Sequence, residues 1–511
     1  MKQFLKIYLW QILSLVTGFA TMFVVTPYLA ENQRYFGIYT FVMSLNLFLS
    51  YADFGFLNAG VKFASEAFAK NDRKEETETL GFVTFILATV FLLFGVVVLI
   101  FYFFPHSILS GLNTEDTVQL IKELLLVFII CLPILVAHRI IQLIFNIRLH
   151  DYKYQRIYSI LNLFKIASVF LFFKNGEYHI VAYYALTQFL TFISVFLGGF
   201  LAIKNYQYSF LGFFKQIKFN SRVYKKTKGL AFNSLFVTIC WVLYYELDIL
   251  VIGKFVGLKE VAIFNICISV MTLARSLYSI VYNPFAAKFN HYLGRNQLTE
   301  FKSTFYKLLV LGLPLSLVPT TVIIVTMKSF VLSWVGVSYA SAIPIISIMF
   351  ASYYFTFLSN PMGIAMVSLQ KIKNLYFVSA ILPAVYWVGI LISFKYFGLF
   401  SFGLFKFFAF FISGLYYLYQ AKSIFNINWI VFLKRNIVSI LSCSIVIYLI
   451  NLKLQVYLPV QQGKLEILQY TIVFISYSAL GSLTYYLFSS EFRKVLNDIF
   501  REIFKVKAVA P

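Results

Sequence analysis

Charge is scarce in this chain. Of its 511 residues only 12% are Asp, Glu, Lys or Arg, against 60% hydrophobic residues and a mean hydropathy of +0.81. A soluble globular domain carries about twice that share of charge, so that class is excluded. Acids are scarcer than bases, 20 against 43. In a soluble protein such an excess would point to nucleic acid; here bases in loops serve to orient spans, and no nucleic-acid partner is expected. The four cysteines, Cys131, Cys240, Cys267 and Cys443, lie singly in apolar segments without CxxC or metal spacing. They offer neither a disulfide frame nor a metal site and read as packing residues. A P-loop is missing, so ATP is not the chain's own energy source, and no cofactor is expected. Large polar loops are missing too. The longest outer loop, 105–123, offers His106, Glu115, Asp116, Lys122 and Glu123 without convergent spacing. That argues against a membrane glycosyltransferase or polymerase, and no catalytic residue is assigned.

What the chain does have is apolar length. On a template of roughly 20 apolar residues per crossing, spans fall at 7–29, 36–61, 80–104, 124–147, 157–173, 180–203, 229–252, 261–287, 308–327, 342–368, 375–394, 402–421, 437–452 and 467–490. Lys2 and Lys6 precede the first stretch in the manner of a signal peptide, but Ile7 to Ala30 is long enough to span, so it is read as a transmembrane helix. Alternate loops and the two ends hold thirty of the Lys and Arg residues and the intervening loops nine. That bias predicts a multi-pass protein with both termini cytoplasmic.

The segment 204–228 carries seven bases and no acid and reads as a cytoplasmic linker between two halves. The expected organisation is a six-helix bundle over 1–203, the linker, a second six-helix bundle over 229–421, two further spans within 422–490, and a cytoplasmic tail, 491–511. In the tail Phe492, Val495, Leu496, Ile499, Phe500, Ile503 and Phe504 recur at helical spacing, as in a helix lying on the membrane surface. A shift of 225 residues aligns the halves faintly: Phe36-Gly37-Ile38-Tyr39 meets Val261-Ala262-Ile263-Phe264, Asn58 meets Asn283, and Lys70-Asn71 meets Arg295-Asn296. Six intervening spans give both halves one orientation, a parallel repeat about an axis along the membrane normal.

Several charges fall within or at the ends of these spans: Asp53 in the second, Arg139 in the fourth, Lys165 in the fifth, Glu246 and Asp248 in the seventh, and Arg275 in the eighth. A charge at bilayer depth costs several kcal/mol at least, so such residues face a protein interior or a water-filled cavity. Lys62 and Lys406, near span ends, have the plainer reading of snorkelling to headgroups. Arg139 follows His138, and either side chain could be held by a backbone carbonyl within the bundle. Glu246 and Asp248, two residues apart, diverge by about 200° on a continuous helix. They are candidates for carrying protons or a cation such as sodium, with structural pairs to Lys254 or Lys259 as the alternative.

Four stretches resemble the bacterial polysaccharide flippases of the Wzx type. They are TPYLAENQRYFGIYTFVMSLNLFLSYADFGFLNAGVKFASE (26–66), YYELDILVIGKFVGLKEVAIFNICISVMTLARSLYSIVYNPFAAKF (244–289), VLSWVGVSYASAIPII (331–346) and SLQKIKN (368–374). The family belongs to the multidrug/oligosaccharidyl-lipid/polysaccharide exporter superfamily. The resemblance implies an all-α polytopic protein of about fourteen transmembrane helices, with two parallel-repeat six-helix bundles around a central cavity and two C-terminal helices. It implies a polyprenyl-diphosphate-linked oligosaccharide as substrate, turned from the inner to the outer leaflet of the bacterial cytoplasmic membrane by alternating access. Membrane lipids, a polysaccharide polymerase and other assembly proteins are the partners that come with it. Lipid-linked peptidoglycan precursor flippases and multidrug/cation antiporters of the same superfamily are the alternatives.

A diphosphate cannot cross hydrocarbon bare, and a guanidinium binds phosphate oxygens bidentately. Arg275, Arg139, Lys165 and Lys62 are therefore the expected substrate-binding residues, and Asp53, Asp248 and Glu246 the expected coupling or gating residues. The 225-residue shift sets Arg275 on Ser50 and Asp53 on Tyr278, and positions 50 and 53 share a face if the second span is one helix. On that footing Asp53 and Arg275 are expected to pair across the two halves.

Overall fold

Inside a bilayer the backbone must satisfy its own hydrogen bonds, which leaves long apolar runs the choice of helix or closed barrel. The computed structural model of this chain describes Trp10, Leu13 and residues 16–49, 51, 53–148, 150–174 and 177–507, and among these it is helical without a strand. Among the described residues ten helices are long and apolar enough to cross a membrane, or eleven if the bent pair Ser221–Phe232 and Ser234–Tyr245 is one span. The chain is a multi-pass membrane protein. Fourteen spans exceed that number because several crossings are broken or short. Lys2, Lys6 and much of the first span, 7–29, lie outside the described residues, as do Ser50 and the side chains of Ile499, Phe500, Ile503 and Phe504.

The chain divides into two units, residues 1–265 and 266–511. The first contains α1 (Thr21–Val25, a π-helical turn), α2 (Thr26–Leu29), α3 (Gln33–Leu49), α4 (Phe56–Ala69), α5 (Arg73–Phe103), α6 (Glu115–Asn146), α7 (Asp151–Phe172), α8 (Ile180–Tyr206), α9 (Phe210–Lys215), α10 (Ser221–Tyr245) and α11 (Asp248–Phe255). The division falls inside α12 (Leu258–Tyr282). The seventh span, α10 with α11, packs on α4 and α3 of the first unit.

The second span is two helices. α3 stops at Leu49, and α4 starts at Phe56 after Phe54 and Gly55 take left-handed backbone, φ 50° and 77°. Gly55 is required there twice over, since a Cβ on it would stand 2.4 Å from the Ala231 carbonyl oxygen as well as in a conformation L-residues avoid. Asp53 therefore lies in the break between α3 and α4 and not on a continuous helix. The seventh span breaks likewise: Glu246 caps α10 and Asp248 opens α11. The angular separation of a continuous helix does not apply to these two acids.

The second unit holds α13 (Pro284–Gly294), α14 (Leu298–Val335), α15 (Ala342–Ala351), α16 (Thr356–Ser368), α17 (Ile372–Phe397), α18 (Phe400–Phe425), α19 (Trp429–Leu454), α20 (Lys464–Phe488) and α21 (Ser490–Lys507). Its core gathers around α14, where Phe305 stacks on Phe425 with centroids 3.7 Å apart. The two C-terminal spans belong to this core. Tyr485 of α20 donates to Asn436 of α19 at 3.0 Å, and Tyr470 and Thr326 of α14 share a hydrogen bond of 3.1 Å. The tail begins docked: Glu491 accepts from Asn436 at 3.3 Å and pairs with Arg435 at 3.3 Å, while Phe492 packs edge-on against Tyr485. Lys406 departs from its expected snorkelling. It is 5% exposed with its ammonium 4.5 Å from the Tyr386 ring centroid, a cation–π contact inside the bundle.

The repeat has a local counterpart in the backbone. Asn71 after α4 and Asn296 after α13 are both left-handed, φ 58° and 56°. Asp72 N–H bonds Ala67 O at 2.9 Å, and Gln297 N–H bonds Tyr292 O at 2.9 Å, the same closure 225 positions apart. Asn suits this C-terminal position because it tolerates the left-handed region.

Candidate functional site: an intramembrane basic cluster

Most of the mid-span charges of the first unit lie in one neighbourhood built by α6, α7, α8 and the break before α4. Asp53 is buried, and one carboxylate oxygen accepts from the Gly55 N–H at 3.1 Å, which fixes the turn that leads into α4. The Asp53 carboxylate and the Arg139 guanidinium lie in each other's electrostatic field. His138, the neighbour of Arg139, stands in the field of both Arg139 and Lys165.

Side-chain hydrogen bonds place these groups. His138 Nδ1 and the Tyr154 hydroxyl are 2.6 Å apart. Tyr154 is admitted by Gly198, where a Cβ would meet its ring at 2.5 Å. Lys165 donates to Thr191 Oγ1 at 2.8 Å, and its ammonium lies 5.1 Å from the Tyr158 ring centroid. Thr191 in turn donates to the Thr187 carbonyl at 2.9 Å. The backbone-carbonyl alternative for His138 gives way to the Tyr154 bond. Two cationic side chains, Arg139 and Lys165, and one carboxylate, Asp53, thus share this interior, and its balance favours an anion.

The other expected residues are placed as follows. Glu246 accepts from the Tyr51 hydroxyl at 3.4 Å, and Asp248 is fully buried at the start of α11. Lys62 on α4 is exposed, its ammonium 5.3 Å from the Phe63 ring, as a snorkelling base would be. Arg275 is half-buried on α12, in the second unit, one turn before Tyr278, which stacks on Tyr353 at 5.4 Å.

Sequence reasoning missed a second polar centre at the 204–228 end of the first unit. Glu76 of α5 is 1% exposed and pairs with Arg148, itself buried. Arg73 reaches the same carboxylate at 3.1 Å, and the Tyr208 hydroxyl donates to it. Arg148 Nη1 also donates to the Ile144 carbonyl at 3.0 Å, and its guanidinium lies over Phe68, Tyr206 and Tyr208. His150 bonds the Tyr206 hydroxyl at 2.9 Å; burial, reinforced by Lys153 and Arg148, holds its imidazole below the ordinary histidine value. In the sequence Glu76 stands in a run of charges, DRKEETE, that reads as a solvated loop. The available signal was the Arg73–Glu76 helical spacing behind Asp72, which caps α5 by accepting from Glu75 N–H at 2.9 Å.

No family model matches the chain, and no curated protein sequence does. Solved structures do resemble it. A lipid II flippase, MurJ, in an inward closed conformation superposes with a TM-score of 0.69 at 16% identity, covering 97% of this chain and 99% of that one. An inward-facing multidrug resistance MATE family transporter of the MOP superfamily gives 0.61 at 11% identity, covering 81% of this chain and 98% of that one. The all-helical fold of this chain is the one these transporters share.

Proposed function

We propose that the chain is a flippase that carries a polyprenyl-diphosphate-linked oligosaccharide from the inner to the outer leaflet of a bacterial cytoplasmic membrane, with both its termini cytoplasmic. The observation that carries this reading is the pair of cationic side chains Arg139 and Lys165 held in the interior of the first unit, with His138 in the field of both. A diphosphate entering hydrocarbon needs charged donors in place of water. Arg139 and Lys165 supply them in the first unit, and Arg275 is assigned the same task in the second. Lys62, exposed midway along α4, is assigned a first contact for the diphosphate. Asp53, Glu246 and Asp248 are assigned to gating or to proton or sodium coupling. Asp53 would hold Arg139 until phosphate oxygens compete for the guanidinium.

The likeness to the lipid II flippase over nearly the whole length of both chains favours a second reading, a lipid-linked peptidoglycan precursor as cargo. Its isoprenoid diphosphate makes the same demand on the bases. A multidrug cation would meet repulsion from the same cluster, which weighs against an antiporter.

The test is transport in vesicles reconstituted with purified protein, using a fluorescent isoprenoid-diphosphate-linked disaccharide and a membrane-impermeant quencher. Each Arg, at 139 or 275, supplies a charge-assisted contact of about 1.5–3 kcal/mol, so Arg139→Ala and Arg275→Ala should each slow flipping roughly 10- to 100-fold at normal protein yield. Lysine at either position should recover only part, because a point charge lacks the guanidinium fork. Unchanged rates in both alanine variants would remove these bases from the mechanism. Flipping of a lipid-linked muramyl peptide in preference to the disaccharide would select the second reading.

A further inference from the structure

A cavity of about 940 Å³ opens along the flank of the first unit between α5, α6 and α8, and α9 closes one end. Its walls are almost wholly apolar. It follows α5 from Thr84 to Leu99, roughly 22 Å at 1.5 Å per residue. Small residues form its floor: Ala88, Ala137 and Gly199. At about 30 Å³ per heavy atom with its hydrogens, the share of a water in the liquid, the space holds roughly thirty methylene-sized groups. That is the content of two acyl chains.

The closed end differs from the rest. Phe213 and Phe214 of α9 and Tyr208 line it, and all three belong to the 204–228 segment with its seven bases and no acid. Lys204, Lys215 and Lys218 are exposed beside these lining residues. Arg73 stacks on the Tyr208 ring, its guanidinium 3.8 Å from the centroid, and its side chain is 41% exposed. Because Glu76 is shared between Arg148 and Arg73, the two guanidinium groups outnumber the carboxylate they share. An apolar groove for two chains therefore ends in an excess of positive charge.

We propose that this groove binds an anionic glycerophospholipid, its acyl chains along α5, α6 and α8 and its phosphate held by Arg73 and the bases of α9 and the linker. The bound lipid would fasten α9 and the linker to the first unit. This site is separate from the Arg139–Lys165 cluster and does not depend on the transported substrate.

Native mass spectrometry of the full chain, exchanged into equimolar dioleoyl phosphatidylglycerol and dioleoyl phosphatidylcholine, tests this. A base near an anionic headgroup is worth about 1 kcal/mol, or roughly fivefold. The protein should therefore retain phosphatidylglycerol over phosphatidylcholine, and Lys215→Gln and Lys218→Gln should each cut that ratio by up to roughly fivefold. Gly199→Phe should abolish retention of both lipids by filling the groove; a Cβ at Gly199 meets only Ile141 Cδ1, at 3.7 Å. Equal retention of the two lipids by the unaltered protein would overturn the proposal. So would undiminished phosphatidylglycerol in a folded Gly199→Phe variant, or its displacement by farnesyl diphosphate, which would give the groove to an isoprenoid chain. Should Gly199→Phe fail to fold, the two lysine variants decide alone.

Discussion

Replacing Glu76 with Ala should be among the most destabilising single changes in the first unit. The Glu76 and Arg148 side chains are 1% and 3% exposed, so neither charge can turn to water when the other is removed. Breaking such a buried pair from one side costs about 3–5 kcal/mol. The Arg73 contact adds little, because that side chain is 41% exposed and screened. The Tyr208 hydroxyl also loses its acceptor. At roughly 2 °C per kcal/mol for a unit of this size, the apparent melting temperature of purified protein should fall by about 6–10 °C. It would be followed by fluorescence-detected size exclusion at a fixed heating time. Glu76→Leu combined with Arg148→Met should recover most of the loss, because a matched apolar pair leaves no stranded charge. A drop under about 2 °C for Glu76→Ala, within the range of an ordinary surface substitution, would refute the reasoning. So would strictly additive losses in the double variant.

Three further outcomes follow from the same structure. Lys165→Met should leave thermal stability unchanged or higher, since a desolvated ammonium bonded to Thr191 is removed, while flipping falls about 10-fold or more; normal flipping would confine Lys165 to a packing role. Gly55→Ala should lower the melting temperature, because it combines a left-handed backbone cost of about 1–2 kcal/mol with a Cβ 2.4 Å from the Ala231 carbonyl oxygen; an unchanged melting temperature would show that the break before α4 relaxes freely. The four native cysteines are buried, so cysteine placed at exposed Ser221 should resist an impermeant thiol reagent in intact cells while cysteine at exposed Asn113 reacts; labelling at Ser221 would reverse the orientation.

Much of the fold was legible in the residues alone. Thirteen of the fourteen hydropathy spans match a helix or a helix pair, and the described part of the first is helical, because apolar length has only one hydrogen-bonded solution in this setting. The faint repeat was legible in Lys70-Asn71 and Arg295-Asn296, whose identical helix closures follow from the left-handed tolerance of Asn. The mid-span charges could be located, since hydropathy makes each of them conspicuous.

Other features were decided by packing. A hydropathy window averages over a few residues, so it passed across the breaks at Phe54-Gly55 and Glu246-Leu247, which the backbone adopts against neighbouring helices. Partner choice depends on how each helix is rotated about its axis. That rotation places Arg139 in the field of Asp53, sets Lys165 on Thr191, and draws Lys406 inward under Tyr386. Glu76 shows the limit most plainly. In sequence it is one acid in a polar run, and only the closure of α5, α6 and the Tyr206–Tyr208 segment around it makes it a buried counter-ion. Composition and periodicity determined that this chain crosses the membrane many times with charges held inside it; which charges meet was left to the tertiary structure, because one-dimensional spacing carries no information about helix azimuth beyond a single turn.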